Sequence, residues 1–251
     1  MSEGDLPVLV GVGQVTEHWD GTNGPDGAPS PKSLCVSASQ IALDDAGLAA
    51  SEIDMLAVVR IFEDSVPGDR HPHGHNTNLP GTIARDIEAS PKQAIYAAVG
   101  GQSPQQLANE MAARIHAGEF ECALITGSEA NKASKAARKH GVEIDWADES
   151  DLAFEDRGMG EMLLSRPEIK HGIIAPAYFY ALFENAMAAR DGQTRTERRQ
   201  AMSSLFEKFA KVAADNPLSQ FDTSSFDAAF LATPSKANYP FADPFLKWHI
   251  A

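Results

Sequence analysis

Apolar residues in the first half of the chain fall into four short runs, separated by amphipathic stretches and polar loops. Runs of this kind, rich in aliphatic and β-branched residues, predict strands that are buried on both faces. The four runs are Val8–Val12, Met55–Ile61, Gln93–Val99 and Cys122–Thr126. Because the stretches between them have helical spacing, the pattern predicts an α/β domain, with a parallel or mixed sheet covered by helices on both faces.

The helices between these runs carry start and stop signals. The first is bounded by Ser30, an N-cap residue before a proline, and by Gly47, a C-terminal cap. A shorter helix is predicted over Pro80–Ala89. The strongest signal is the segment Ser-Pro-Gln-Gln that starts at Ser103, a capping box with proline at the first helical position. We therefore expect Ser103 to be the N-cap of a helix that ends at Gly118.

The composition changes after residue 130. Residues 131–158 hold a basic cluster followed by an acidic one, and two helices are predicted beyond them, Pro176–Arg190 and Arg195–Ala214. The second of these begins with another capping box, which starts at Thr194. The first carries apolar residues at helical spacing, which we expect to be core residues: Tyr178, Leu182, Phe183 and Met187.

Charge and cysteine content exclude several classes of protein. The 251 residues carry a net charge of −14, so phosphates should repel the chain, and we expect neither nucleic acid nor a membrane as a partner. No apolar run approaches the roughly 18 residues of a membrane span, and the acidic start is unlike a signal peptide. Cys35 and Cys122 lie in apolar patterns, typical of inert buried thiols in a reducing compartment. We expect a cytoplasmic protein.

One region of the chain resembles the nucleophile region of the thiolase superfamily. It comprises Val99-Gly100-Gly101-Gln102-Ser103-Pro104, the following helix with Gly118-Glu119, and the run from Phe120 that closes on Gly127-Ser128-Glu129. In that family a strand ends in a turn that carries the acyl-accepting cysteine. Counting back from Gly118 without a gap places that cysteine at Gly101. Since glycine cannot carry an acyl group, the resemblance implies an acyl-CoA fold without its usual nucleophile.

The resemblance also implies a domain organisation. Residues 1–130 would form the N-terminal α/β domain and residues 131–245 the helical loop domain inserted into it, on the acyl-CoA side. Residues 246–251 would begin the fifth-strand region, and the family's C-terminal half, which carries its catalytic histidine and second cysteine, would be absent. Within the superfamily, the segments 100–105 and 181–186 look most like the sterol-carrier-type, acetyl-CoA acetyltransferase-like branch.

Three groups of residues are candidates for a site. The bare turn at Gly101 is either a tight strand-to-helix connection or a place where a thioester is held without covalent capture. Ser103 is not expected to replace the cysteine, because an N-cap hydroxyl is already bonded to the backbone. The loop domain of the family holds the CoA nucleotide, so the resemblance makes Arg195, Arg198 and Arg199 candidate phosphate contacts, the alternative being a solvated helix face.

A histidine-rich segment, His71-Pro72-His73-Gly74-His75, is the third group. Alternate residues of an extended segment face one way, so three imidazoles could converge on a metal ion. No cysteine or carboxylate lies at a matching ligand spacing, although Asp69 is near. We therefore expect a solvated loop and no metal.

The leading hypothesis is a thiolase-like acetyl-CoA acetyltransferase family protein of lipid metabolism, an acyltransferase by resemblance. It would bind CoA or acyl-CoA as substrate, without a cofactor, and carry out acyl transfer or C–C bond cleavage or formation. This chain alone would be inactive. The alternative is a non-catalytic scaffold, a partner subunit of a heteromeric thiolase-type complex. In either case we expect a homo- or hetero-oligomer.

Overall fold

The computed structural model describes residues 6–65, 71–160, 165–173 and 176–233. The chain divides into two compact units, residues 1–161 and 162–251. This boundary lies later than the one expected at residue 130, because a helix and a short strand from residues 131–158 belong to the first unit. The segment 246–251, expected to begin a fifth-strand region, lies outside the described residues.

The first unit is built on a parallel sheet. Its strands are β1 (Met55–Val58), β2 (Gln93–Tyr96), β3 (Ala123–Thr126) and β4 (Glu155–Asp156), in the spatial order β3-β1-β2-β4. All three pairings are parallel, with Met55 opposite both Gln93 and Ala123. Its helices are α1 (Pro31–Ala46), α2 (Leu79–Asp86), α3 (Ser103–His116) and α4 (Asn131–His140). The expected α/β class is confirmed.

Helices cover both faces of this sheet. On one face Leu56 and Val58 of β1 pack with residues of α1 and α2, among them Cys35 and Ile83. On the other face Met55, Ala57 and Ile95 pack with residues of α3 and the loop after it: Leu107, Met111 and Phe120. The side chains of successive strand residues alternate between the two clusters, as the period of two in a strand requires.

The expected strand Val8–Val12 is not formed. Within the described part of the chain this segment pairs with no strand, and Val8 and Leu9 are 75% and 84% exposed. It lies along α1, where a Cβ added at Gly13 would come within 2.0 Å of the Ala38 carbonyl oxygen. The Val12 N–H donates to the Asp45 carboxylate at 2.9 Å. The backbone of the segment is therefore held by a helix instead of a neighbouring strand.

The second unit is helical, with α5 (Arg166–Lys170), α6 (Pro176–Arg190), α7 (Arg195–Ala214) and α8 (Ala228–Ala232). The expected core stripe on α6 is wrong: Leu182 and Phe183 are 57% and 65% exposed and Met187 is exposed as well, whereas small residues such as Ala181 and Ala188 are buried. The side chain of Tyr178 lies outside the described residues. Within the described part of the chain, no helix is long and apolar enough to cross a membrane.

Candidate functional site

The loops that follow β1, β2 and β3 leave the same edge of the sheet, because the three strands are parallel. Ligands of open α/β sheets bind outside the carboxyl ends of the strands. The loop after β1 carries Arg60 and Asp64, the turn after β2 carries Gly100 and Gly101, and the loop after β3 carries Glu129. This edge is therefore the candidate site of the first unit.

The turn after β2 has no side chain at its two glycines. Gly100 adopts a φ of +152°, and a Cβ there would come within 2.5 Å of the Gln102 side chain. Gly101 differs, because a Cβ built on it meets nothing within 4 Å. The position at which the resemblance places the family's cysteine is thus open space in front of α3.

Ser103 does not act as the N-cap that the sequence predicts. Helix α3 begins at Ser103 itself, its N-cap is Gln102, and no side chain caps this end. The Ser103 hydroxyl instead donates to the Ala98 carbonyl at 2.7 Å, and the residue is 3% exposed. The bond ties the helix start to the end of β2. It also occupies the hydroxyl proton, so Ser103 is not positioned as a nucleophile.

Buried polar groups connect the loop after β1 to the ends of β2 and β4. The Tyr96 hydroxyl donates to Oδ2 of Asp64 and accepts from the Ile61 N–H. Burial raises the pKa of Tyr96 well above its ordinary value, so this hydroxyl stays a donor. The Arg60 guanidinium stacks 4.1 Å from the Tyr96 ring centroid and pairs with Asp156. The network fixes the Asp64 carboxylate in one orientation.

The three histidines of the segment 71–75 do not converge, contrary to the alternation that we considered. His71 and His75 stack with ring centroids 3.9 Å apart, and the Nε2 atom of each lies near Asp64. His73 turns away, with its Nε2 atom 3.0 Å from the Ser134 hydroxyl and its ring edge-on to Trp146. A glycine at φ +86°, Gly74, provides the turn that separates them. Asp69, the acid considered for this segment, lies outside the described residues.

Sequence reasoning missed Asp64. The signal that could have found it is a carboxylate in the loop directly after a buried strand, followed by histidines before the next helix. Its distances from the two histidines depend on how the loop folds back, which local patterns do not show. Two further carboxyl groups belong to these loops, and burial raises the pKa of both Glu63 and Glu129. This part of the edge is rich in acid.

Neither cysteine is placed as a nucleophile. Cys35 is fully buried, its thiol lies 3.3 Å from the Ser128 hydroxyl, and burial raises its pKa. Burial also raises the pKa of Cys122, which is partly exposed. Since the thiolate is the reactive form, both shifts favour inert thiols.

The arginines of α7 differ from one another. The Arg198 side chain is 13% exposed and its Nε donates to Glu184 at 2.6 Å, so its charge is used inside the second unit. Arg199 is half-buried, whereas Arg195, the first residue of the helix, is exposed. Arg198, one of the three expected phosphate contacts, is therefore committed to an ion pair with Glu184.

Comparisons with known proteins are informative at the level of structure. No family model matches the chain, and no curated protein matches it significantly. Among solved structures, it superposes on a monomeric SCP2-thiolase-like protein type 1 (STLP1) from Mycobacterium smegmatis with a TM-score of 0.66 and 32% identity, over 98% of this chain. The fold is thiolase-like. The resemblance to the thiolase superfamily is thereby confirmed.

A second match is the Ltp2-ChsH2(DUF35) aldolase, with a TM-score of 0.53 and 16% identity over 84% of this chain. At this identity the match shows the fold alone. The chain spans 43% of the length of STLP1 and 44% of the second protein. The described residues thus correspond to less than half of each of these thiolase-like proteins.

Proposed function

We propose that this chain is part of a thiolase-like protein that binds CoA thioesters at the carboxyl edge of its sheet and forms no acyl-enzyme at residue 101. The observation that carries the proposal is the open space at Gly101 in front of α3. A cysteine in that place would attack the thioester. A glycine leaves the same volume for the thioester itself.

The start of α3 suits an acyl oxygen. The helix has 14 residues, and no side chain caps its N-terminus. Such an end carries a partial positive charge, which stabilises negative charge on an oxygen atom. The Ser103 N–H is already bonded to the Gly100 carbonyl and Pro104 has no N–H, so the effect proposed here is that of the helix dipole. A thioester enolate forms when a β-hydroxyacyl thioester loses its hydroxyl proton and its Cα–Cβ bond breaks, which releases a carbonyl compound. The enolate places its charge on the thioester oxygen. The proposed reaction is therefore C–C bond cleavage or formation without thiolysis, and the thiolase-like fold of an aldolase supports this choice.

A scaffold role is the second candidate. The Ltp2-ChsH2(DUF35) aldolase is named for two components, and a thiolase-like chain without a nucleophile suits a partner subunit. In this role the chain would associate with an active thiolase-type chain and would not itself need to bind CoA. CoA binding therefore distinguishes the two candidates.

A calorimetric titration of the chain with acetyl-CoA and with CoA tests the first candidate. Saturable binding that weakens with salt is expected, because a chain with a net charge of −14 can hold an anionic ligand only through local cationic side chains, and salt screens those contacts. Thiolysis of acetoacetyl-CoA should be absent, and a turnover near the ~10 s⁻¹ typical of enzymes would overturn the proposal. Absence of thioester binding would leave the scaffold role.

The arginines of α7 provide a matched pair for the same titration. If α7 contacts the CoA phosphates, Arg195→Ala should weaken binding by about tenfold, the effect of losing one charge-assisted hydrogen bond. Arg198→Ala should act mainly on folding, since it breaks the ion pair with Glu184. Glu184→Gln is its control, because it breaks the same pair and leaves the arginine in place. Equal affinity of all three variants would exclude Arg195 and Arg198 as phosphate contacts.

A further inference from the structure

The arrangement of Asp64, His71 and His75 is unusual among the polar groups of the first unit. One ligand atom from each of the three lies within 4.8 Å of the other two. Oδ1 of Asp64 is 3.6 Å from Nε2 of His71 and 3.5 Å from Nε2 of His75. These separations are too long for hydrogen bonds. They are close to the spacing of about 3.4 Å between neighbouring ligands of a tetrahedral ion with bonds of about 2.0–2.1 Å.

One oxygen of the Asp64 carboxylate is hydrogen-bonded and the other is not. Its side chain is 6% exposed, its Oδ2 accepts from Tyr96, and its Oδ1 has no hydrogen-bond partner. A buried carboxylate oxygen without a partner is costly, and native structures leave few of them. The unsatisfied oxygen is the one that faces the two imidazoles. An orienting hydrogen bond on the other oxygen is also what carboxylate ligands of metals commonly have.

We infer that Asp64, His71 and His75 bind a divalent first-row transition-metal ion, with zinc as the best-suited member. Two imidazoles and one carboxylate are the donors of three-ligand zinc sites and of related iron sites. Magnesium and calcium prefer sites made of oxygen atoms alone. Three protein ligands leave at least one coordination position for water or for an oxygen of a bound molecule.

The surroundings favour a cation in this place. Asp64 and His71 line a small cleft, and the His75 side chain is 44% exposed, so the cluster has a route to solvent. Lys32 also lines this cleft, but its ammonium group is paired with Asp86 and Asp148, each at 2.7 Å. The acidic side chain of Glu63 lies on the same cleft.

The backbone of the segment that contains the two histidines is hydrogen-bonded to residues 146–148. The backbone N–H of Trp146 donates to the His73 carbonyl at 2.5 Å, and the backbone N–H of Thr77 donates to the Asp148 carbonyl at 3.0 Å. Because residues 73–77 are fixed along residues 146–148, the backbone that carries His75 is in place before any ion binds, and the Gly74 N–H donates to the His71 carbonyl at 3.2 Å. The two rings are stacked 19° from parallel, so the side chains must rotate to bring an ion into both ring planes. Preorganisation of the backbone lowers the cost of ordering the ligands on binding.

Zinc titration of the metal-free chain, prepared without an affinity tag, tests the inference. Competition with a chromophoric chelator should show one ion per chain with a Kd below about 1 µM. His75→Gln is the decisive variant, because this side chain is 44% exposed and its replacement does not disturb the core. It should weaken zinc binding at least tenfold, as should Asp64→Asn and His71→Gln. His18→Gln replaces an exposed histidine outside the cluster and should leave the affinity unchanged.

Two further measurements distinguish loss of a ligand from loss of the fold and identify the ligand atoms. Circular dichroism and a thermal melt show whether each variant is folded, and zinc should raise the melting temperature of the wild type but not of His75→Gln. Cobalt in place of zinc should give visible absorption without sulfur charge transfer, since neither cysteine belongs to the cluster. Zinc affinity that is equal in the wild type and in a folded His75→Gln variant would overturn the inference, as would cysteine ligation or competition by magnesium.

Discussion

Two loops leave the same edge of the sheet and use opposite means to prepare a site. The turn after β2 has lost its side chains: Gly101 faces open space and the start of α3 is uncapped. The loop after β1 is crowded, with Asp64 held by Tyr96 and facing two stacked imidazoles. The first can act on a ligand only through its backbone and the helix dipole, whereas the second can act through side-chain donors. In a thiolase-like fold, an edge that lacks the nucleophile therefore still carries groups that can bind a ligand.

The largest difference between the two loops should appear in the free energy of unfolding, when a methyl group is added to a glycine in each of them. Gly74→Ala places a Cβ 2.8 Å from the Ala147 nitrogen at a φ of +86°, so both strain and a clash oppose it. We expect a loss of about 2–4 kcal/mol in the free energy of unfolding. Gly101→Ala meets no neighbour and should change it by less than about 1 kcal/mol. Denaturant unfolding measures both, and equal losses would show that the turn after β2 is as tightly packed as the crowded loop.

Removal of one oxygen atom tests how far the crowded loop depends on its buried network. Tyr96→Phe deprives Asp64 of its donor and the Ile61 N–H of its acceptor. We expect a loss of about 1–3 kcal/mol in unfolding free energy, the cost of buried groups left unsatisfied. Tyr180→Phe removes the same atom from a tyrosine that is 52% exposed and should have little effect. Indistinguishable urea midpoints for the two variants would contradict the network.

Acid should loosen the support of the crowded loop. Hydrogen bonds from Arg85, and then from Lys32, hold the pKa of Asp148 well below its ordinary value. A carboxyl group with a lowered folded-state pKa adds stability above its unfolded pKa of about 3.9, and this contribution disappears as the pH falls further. Asp148→Asn should cost about 1–2 kcal/mol at neutral pH and flatten the fall in stability below about pH 4. Unfolding curves at several pH values provide the check. If the unfolding free energy of the variant falls as steeply below about pH 4 as that of the wild type, other carboxyl groups cause the loss of stability in acid.

The smallest effect concerns the bare turn. A thiol introduced by Gly101→Cys would lie at the start of α3, where the helix dipole should lower its pKa by about half a unit to one unit. Ala113→Cys puts an exposed thiol in the last turn of the same helix, where the dipole acts in the opposite direction. The pH dependence of alkylation, followed by peptide mass mapping, compares the two pKa values. If the two thiols titrate together, the helix start does not stabilise negative charge, and the proposed role of the turn loses its physical basis.

Local sequence signals were sufficient to predict most strands and helix ends of the first unit. Three of the four apolar runs form β1, β2 and β3, because a strand buried on both faces must be apolar throughout. Ser30 and Gly47 cap α1 as expected, since capping depends only on neighbouring residues. Val8–Val12 has the same composition as the strands, but its neighbour in the fold is a helix. Pattern alone cannot distinguish the two outcomes.

The candidate site was less predictable, because it depends on contacts distant in sequence. The open space at Gly101 follows from the missing side chain and could be anticipated. The N-cap role of Ser103 is wrong because the helix begins at Ser103 itself, and its hydroxyl donates to the Ala98 carbonyl instead of accepting from the first turn. The pairing of Arg198 with Glu184 and the position of Asp64 between two histidines arise from helix packing and loop folding. Neither contact has a fixed spacing along the chain.

The unpaired segment Val8–Val12 has a practical consequence. It offers adjacent exposed apolar side chains and no charge, and its backbone is held along α1. Uncharged segments of high β-propensity are the usual seeds of intermolecular strand pairing. We therefore expect this segment to determine how concentrated the isolated chain can become before it precipitates. A lysine in place of Leu9, which is 84% exposed, should raise that limit without affecting either loop at the edge of the sheet.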